Sequence, residues 1–263
     1  MRMTARAFLA AGLSAAALAK QHLQTLMYLG RYDEAFELAR TARTALRRSG
    51  NPRLVAEHET NVGNLHYRVD QHRRALACYT RAAAIFADLG DAVAMAQIDQ
   101  NRAAVLHEID RIDEALELYA RARDGYAAAG LIVRVLQVDL AVAYVSFLRG
   151  HYHDALRRFT EAHDNGGAVL NNADRGLTDL DLAEVYLQLN AIDEARSAAS
   201  SAVGAFEACG MARETASARR LLAQVAAIAG DTVSSLALFD AVIAEFDAAG
   251  LASQASVARV ERA

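Results

Sequence analysis

Apolar, small and turn-forming residues recur along this chain with a fixed step of 40 positions. Gly30, Asp70, Asp110, Gly150, Asn190 and Gly230 stand one step apart, and all are residue types that accept a left-handed or turn backbone. A second series of breaks falls at Gly50, Gly90, Gly130, Gly210 and Gly250; Leu170 interrupts it. Two helix-length segments lie between the breaks of each repeat. In the second repeat the pattern predicts a first helix (A) over about 53–69 and a second helix (B) over about 72–89. Turns of a few residues force the two helices to lie antiparallel.

The columns of this repeat specify packing. Small residues fall at Ala35, Ala75, Ala115, Ala155, Ala195 and Ser235, and again at Ala42, Ala82, Ala122, Ala162 and Ala202, with Val242 closing that series. Between them stand Ala39, Tyr79, Tyr119, Phe159, Ala199 and Phe239. On helix A a small residue recurs at Gly63, Ala103, Ala143, Ala183 and Ala223, with Leu23 in the first repeat. Late in helix B bulky residues recur at Leu46, Phe86, Tyr126, Phe206 and Phe246. Small columns let helix axes approach to about 8 Å, the close end of the packing range. One helix pair cannot bury its apolar face alone, so pairs stack into a continuous core. The predicted fold is all-α: a right-handed α-solenoid of antiparallel helix pairs. It fills 1–263 as a single domain, with repeats at roughly 14–50, 51–90, 91–130, 131–170, 171–210 and 211–250 and a terminal helix over 251–263.

Composition agrees with this pattern. Apolar residues make up 54% of the chain but aromatics only 6%, with one proline and no tryptophan, which suits helices in close contact rather than a sheet. A net charge of −4 gives no basic stripe, so no nucleic-acid partner is expected. Cys78 and Cys209 are too far apart in sequence to suggest a disulfide framework or a zinc site. No stretch reaches the ~18–20 apolar residues of a membrane span, and no membrane partner is expected.

Asn61-Val62-Gly63-Asn64-Leu65-His66-Tyr67 resembles helix A of the tetratricopeptide repeat (TPR) family. Gly30-Arg31-Tyr32-Asp33-Glu34-Ala35 and Ile112-Asp113-Glu114-Ala115-Leu116-Glu117-Leu118-Tyr119 resemble its turn and helix B. The step of 40 is longer than that family's usual ~34 residues. The longer form is similar to arrays in bacterial maltose-activator-like regulators and CHAT-protease-associated proteins. Ile98-Asp99-Gln100-Asn101, Val138-Asp139-Leu140-Ala141 and Thr178-Asp179-Leu180-Asp181 look most like the CHAT-associated kind.

The resemblance implies that the A helices line a concave groove. Its positions are Lys20, Gln24, Thr60, Asn64, Tyr67, Gln97, Gln100 and His107 in the first three repeats, and Leu140, Tyr144, Phe147, Leu180, Glu184 and Leu187 in the next two. The first set offers amides to an extended backbone. The second offers an apolar strip of the sort that marks a contact site, or that buries itself against its neighbours. Lys20 and Asn61 match the family's carboxylate clamp, but Gln24, Gln97 and Asn101 replace its remaining polar and cationic groups, so a clamp is not expected.

The acidic column Glu59, Asp99, Asp139 and Asp179 is expected to pair internally with arginines such as Arg102, Arg134 or Arg219. His151-Tyr152-His153-Asp154 places histidines two apart, off a common helix face, so no metal is expected. Asp164-Asn165-Gly166-Gly167 is expected to weaken its helix by roughly 1–2 kcal/mol. No phosphate loop, nucleophile elbow or other cofactor motif appears, and no enzyme is expected.

The function expected is a cytoplasmic scaffold for a protein or peptide, with self-association through terminal repeats a further expectation, or the sensor segment of a larger bacterial protein. The Ala-rich stretch 7–19 after Arg2 and Arg6 also has the composition of a secretory signal, which would make the chain a periplasmic or secreted adaptor. Against this, Phe8-Leu9-Ala10-Ala11-Gly12-Leu13 resembles Tyr126-Ala127-Ala128-Ala129-Gly130-Leu131, the end of one helix B and the start of the next helix A. The mass of the mature N-terminus separates the two readings.

Overall fold

The computed structural model describes residues 15–28, 30–48, 51–166, 170–248 and 251–263. Thirteen helices and no strand are found among them. In order they are α1 (Ala15–Tyr28), α2 (Tyr32–Arg48), α3 (Pro52–Arg68), α4 (His72–Asp88), α5 (Ala92–Glu108), α6 (Ile112–Ala128), α7 (Ile132–Leu148), α8 (Tyr152–Gly166), α9 (Asn172–Gln188), α10 (Ile192–Ala208), α11 (Ala212–Ile228), α12 (Thr232–Ala248) and α13 (Ala252–Arg262). Odd-numbered helices are the A helices and even-numbered ones the B helices. The chain divides into two compact units, Met1–Leu131 and Ile132–Ala263, at the junction of the third and fourth repeats. Each unit is a stack of antiparallel A/B hairpins.

The turns explain the fixed step. Positive φ is found at Gly30, Asp70, Asp110, Gly150, Asn190 and Gly230 between A and B helices, and at Gly90, Gly130 and Gly210 between B and A helices. At Asp70 the backbone N–H donates to Tyr67 O at 3.0 Å, and the next N–H, of Gln71, donates to His66 O at 2.9 Å. This pair of bonds is the Schellman arrangement, which satisfies carbonyls left open at a helix end. It recurs at Asp110–Arg111, Gly150–His151, Asn190–Ala191, Gly230–Asp231, Gly90–Asp91, Gly130–Leu131 and Gly210–Met211. The second residue of each turn also opens the next helix: Gln71 O, for example, accepts from Ala75 N at 3.0 Å. Helices joined by these turns therefore follow one another after three residues, and the direction of the chain reverses each time. Asn51, Asp91 and Asn171 cap A helices by accepting from Leu54 N, Ala94 N and Asp174 N.

The core lies between the helices along the predicted columns. Ala35, Ala75, Ala115, Ala155 and Ala195 are fully buried and Ser235 nearly so. Tyr79, Tyr119, Phe159 and Phe239 are buried, as are Leu46, Phe86, Tyr126, Phe206 and Phe246. Ala42 is the exception in its column and is half-buried. Each large side chain contributes about 1.5–3 kcal/mol by leaving water. Gly63 shows how tight the fit is, because a Cβ there would lie 2.4 Å from Tyr79 Cε1.

The Gly-Gly interruption takes a different form from the loosening expected. Helix α8 stops at Gly166, with 15 residues where its neighbours have 17. Leu170 then turns back, its N–H bonded to Gly166 O at 2.7 Å. It packs with Leu136 and Ala162, where other repeats place an aromatic ring. A Cβ on Gly166 would meet Leu170 Cδ1 at 2.4 Å, so glycine there makes room for the leucine. Gly167 and the punctuation residues Gly50 and Gly250 lie outside the described residues, as does the segment 8–13.

Two glycines test two different constraints. Gly130→Ala meets open space but a φ of +70°, and is expected to cost about 1–2 kcal/mol from backbone strain. Gly63→Ala meets the Tyr79 ring and is expected to cost about 1–3 kcal/mol from overpacking. Adding Tyr79→Leu should relieve much of the second penalty and none of the first, as read from urea denaturation midpoints.

Candidate functional site

In each unit the A helices of neighbouring hairpins pack on one another: α1 on α3 and α3 on α5 in the first, α7 on α9 and α9 on α11 in the second. The A side is thus the closely spaced, inner side of each stack. The two A-helix faces differ in chemistry.

In the first unit the face is polar and internally tied. The Tyr79 hydroxyl, from helix B, donates to Asn64 Oδ1 at 2.7 Å, and Asn101 Nδ2 donates to the same oxygen at 3.3 Å. The Tyr126 hydroxyl donates to Gln100 Oε1 at 3.0 Å. These bonds occupy the amide oxygens and set the orientation of both amides. Tyr67 is half-buried, and its hydroxyl donates to Glu108 Oε1 at 3.3 Å. Burial, with Glu108 nearby, pushes the Tyr67 hydroxyl up to about 12, so it remains a donor. His107 is half-buried beside Glu108 and its Nδ1 has no hydrogen-bond partner. Thr60 donates to Ala56 O within its own helix. Gln24 and Gln97 are exposed, and the side chain of Lys20 lies outside the described residues.

In the second unit the face is aromatic and acidic. Tyr144 is 38% exposed, and its ring lies 6.1 Å from that of Phe147, which in turn lies 5.7 Å from Tyr152. Leu140, Leu180 and Leu187 are half-buried against the core clusters beneath. Glu184, also half-buried, stands near Asp181, a residue that the pattern of apolar positions does not single out. Burial and the neighbouring Glu184 push the Asp181 carboxyl up to about 7. Burial raises Glu184 too, against the pull of Arg220. Arg220 is itself held by Glu261 at 2.6 Å.

The tyrosine tethers and Asp181 lie outside the expected groove positions, although both left a signal in the sequence. A hydroxyl in a buried aromatic column needs an acceptor, and Tyr79 and Tyr126 carry such a donor where several other repeats carry Phe. Asp181 occupies the column of Asn61 and Asn101.

The acidic column pairs inward for the most part. Glu59 is 2% exposed and ion-paired with Arg43 at 2.6 Å and Arg81 at 2.7 Å. Burial alone would raise its carboxyl, but the hydrogen bonds from Arg43 and Arg81 outweigh this and hold it below its ordinary value. Asp99 pairs with Arg121 at 2.8 Å and Arg102 at 3.5 Å. Arg219 pairs instead with Glu207 and Glu245, and Arg134 hydrogen-bonds Gln137. His151 and His153 are exposed, while Asp154 accepts from Arg158, Ser146 and Arg157. Those bonds, led by Arg158, lower its carboxyl to about 2. No cluster of three metal-ligating side chains is found among the described residues. No helix among them is long and apolar enough to cross a membrane.

The sequence matches the family described as "Soluble NSF attachment protein, SNAP" over residues 31–173. The fold is similar to that of the apo quorum sensor NprR from B. thuringiensis, with a TM-score of 0.76 and 11% identity over 94% of this chain and 69% of that one. It is similar to aspartyl phosphate phosphatase F from Bacillus subtilis, with a TM-score of 0.72 and 14% identity over 95% and 79% of the two chains. NprR in complex with its cognate peptide NprX gives a TM-score of 0.65 and 11% identity over 89% and 69%. These likenesses establish a tetratricopeptide-like helical-repeat fold. No protein of curated function matches the sequence.

Asp181 yields a signed pH dependence. The folded chain keeps this proton up to about pH 7, whereas an unfolded aspartate releases it near about 4. Between those values the folded state binds more protons, so stability falls as pH rises through the window and levels off above it. Asp181→Asn is expected to flatten this slope, as read from urea midpoints across the same range.

Proposed function

The chain belongs to the soluble NSF attachment protein (SNAP) family, and we propose that it is a protein-interaction scaffold that holds a peptide or a helix of a partner protein on its A-helix faces. The observation that carries this reading is Tyr144, an exposed ring 6.1 Å from that of the half-buried Phe147, on a helix that packs on α9 with its half-buried leucines. An exposed aromatic held in place by another ring loses little freedom when a partner covers it, which is the property of a binding anchor. The polar face of the first unit supports the same reading. With their oxygens turned to tyrosine, Asn64 and Gln100 have NH2 groups to offer to backbone carbonyls of an extended segment. Lys20, Gln24, Tyr67, Gln97 and His107 would border that segment, and Leu140, Leu180, Glu184 and Leu187 would border the contact in the second unit.

NprR, which shares the fold, is seen in complex with its peptide NprX. That likeness supports a peptide or protein as the partner class here. The finer reading is a cytoplasmic, non-enzymatic sensor segment of a larger bacterial protein, of the kind found with CHAT or maltose-activator-like regulators. The titratable groups Glu59, Asp99 and Asp154 are engaged in ion pairs with arginines, between helices for Glu59 and Asp99 and within one helix for Asp154, which favours binding over catalysis. A parent reading frame with a fused catalytic or DNA-binding domain would support the regulatory role, and one without would remove it.

Partner capture with the Tyr144→Ala/Phe147→Ala double variant tests the site. Recovery of the wild-type partner is expected to fall at least about tenfold, the loss of roughly 1.4 kcal/mol or more typical of truncated anchors. Unchanged recovery, with the variant folded by circular dichroism, would show that this face is not the contact.

A further inference from the structure

The repeat provides its own reference for one cleft in the second unit. Along the acidic column, Glu59 is met by Arg81 from helix B of the same hairpin and Arg43 from the preceding helix B. Asp99 is likewise met by Arg121 of its own helix B. At Asp179 the residue in the place of Arg81 and Arg121 is Ser201, and the one in the place of Arg43 is His163. Ser201 Oγ donates to Asp179 Oδ2 at 2.6 Å, and His163 Nε2 lies 3.3 Å from Asp179 Oδ1. Neither reproduces the guanidinium that Glu59 and Asp99 receive.

Where the arginine is lacking, a cleft opens. It is open to solvent, has a volume of about 360 Å³ and is lined by His163, Arg175, Asp179, Ser201, Gly204 and Ala205, among others. That is within the ~300–1,000 Å³ of small-ligand clefts. The residues on its α10 wall are small, and a Cβ on Gly204 would meet nothing within 4 Å. Asp179 lies at the base, only 6% exposed. Arg175 is at the rim, where its Nη2 donates to Asn172 Oδ1 at 2.6 Å; it makes no ion pair with Asp179 among the described residues.

A nearly buried carboxylate, small walls, and a site filled by arginine in the hairpins of Glu59 and Asp99 specify one complementary group. We propose that this cleft receives an arginine side chain of a partner protein, whose guanidinium pairs with Asp179 as Arg81 pairs with Glu59. The paired donors of a guanidinium suit the carboxylate better than the point charge of a lysine does. The inference rests on the scaffold reading only in that the arginine belongs to a partner. The cleft uses none of the A-face anchors, so loss of the Tyr144 contact would leave it standing.

The test is a titration of the full chain with Nα-acetyl-arginine amide, followed through the ring signals of His163 by NMR. The citrulline and lysine derivatives serve as a neutral isostere and a point charge. A saturable shift with the arginine compound is expected, absent with citrulline and weaker with lysine. Ser201→Arg should supply the missing guanidinium from within, weaken binding at least about tenfold and raise the melting temperature by about 2 °C. Asp179→Asn, which keeps the shape of the cleft, should abolish the shift while the chain stays folded. No saturable shift, an equal response to citrulline or lysine, or undiminished binding by either folded variant would overturn the proposal.

Discussion

A ring from helix B facing a residue with almost no side chain on helix A is the arrangement on which most of the hairpins depend; Ala39 and Ala199 take the place of the ring in the first and fifth. Tyr79 lies over Gly63, and Phe159 is buried in the same cluster as Ala143. The small residue brings the axes together, and the large one fills the space between hairpins. Close packing makes this fit sensitive to single methyl groups. The turns must then deliver each helix B at one fixed distance from its helix A. A three-residue turn with one left-handed residue does this, because its paired hydrogen bonds leave little freedom in where the next helix begins. Column and turn support each other, and the constant step follows.

The same geometry explains where charge can be buried. A carboxylate on helix A at the Glu59 position faces two B helices, both within reach of an arginine. Glu59 is therefore surrounded, and removing one partner would leave an uncompensated buried charge. Asp99 has a less complete set: Arg121 and Arg102 approach it, yet Oδ1 lacks a hydrogen bond and burial holds its carboxyl above the ordinary value. Asp179 has only a hydroxyl and a histidine. One column in one fold thus grades from a closed ion pair to an open receptor for a cation, through changes of side chain alone.

The two A-helix faces show how a repeat acquires separate chemistries without a change of architecture. Replacing buried Tyr by Phe in helix B removes a hydroxyl, and the opposing helix A position no longer needs an amide. Asn64 faces Tyr79, whereas Tyr144 occupies the equivalent column in the hairpin that carries Phe159. In these two hairpins the residue on the A face differs together with the ring beneath it. A segment bound to the first face would meet oriented amides, and one bound to the second would meet a ring and a pair of carboxyls.

The helices, their order, the left-handed turn residues and the core columns were all legible in the sequence, because each is set by a local rule. Backbone handedness picks Gly, Asp and Asn at the turns, and burial picks small or aromatic residues at a fixed step. The partners of polar side chains were not legible in the same way. Arg43 and Glu59, or Tyr126 and Gln100, meet through space across helices, and several arginines are near enough in sequence to have been chosen instead. Nothing local distinguishes Arg219, which goes to Glu207 and Glu245, from Arg121, which goes to Asp99. The same holds for Leu170, whose place in the core depends on α8 ending at Gly166. Whether an exposed-looking leucine is a contact or part of the core, and whether an acid is closed by an arginine or opens onto a cleft, was decided only when the helices were packed. Those outcomes depend on distances between side chains that the repeat brings together but does not itself encode.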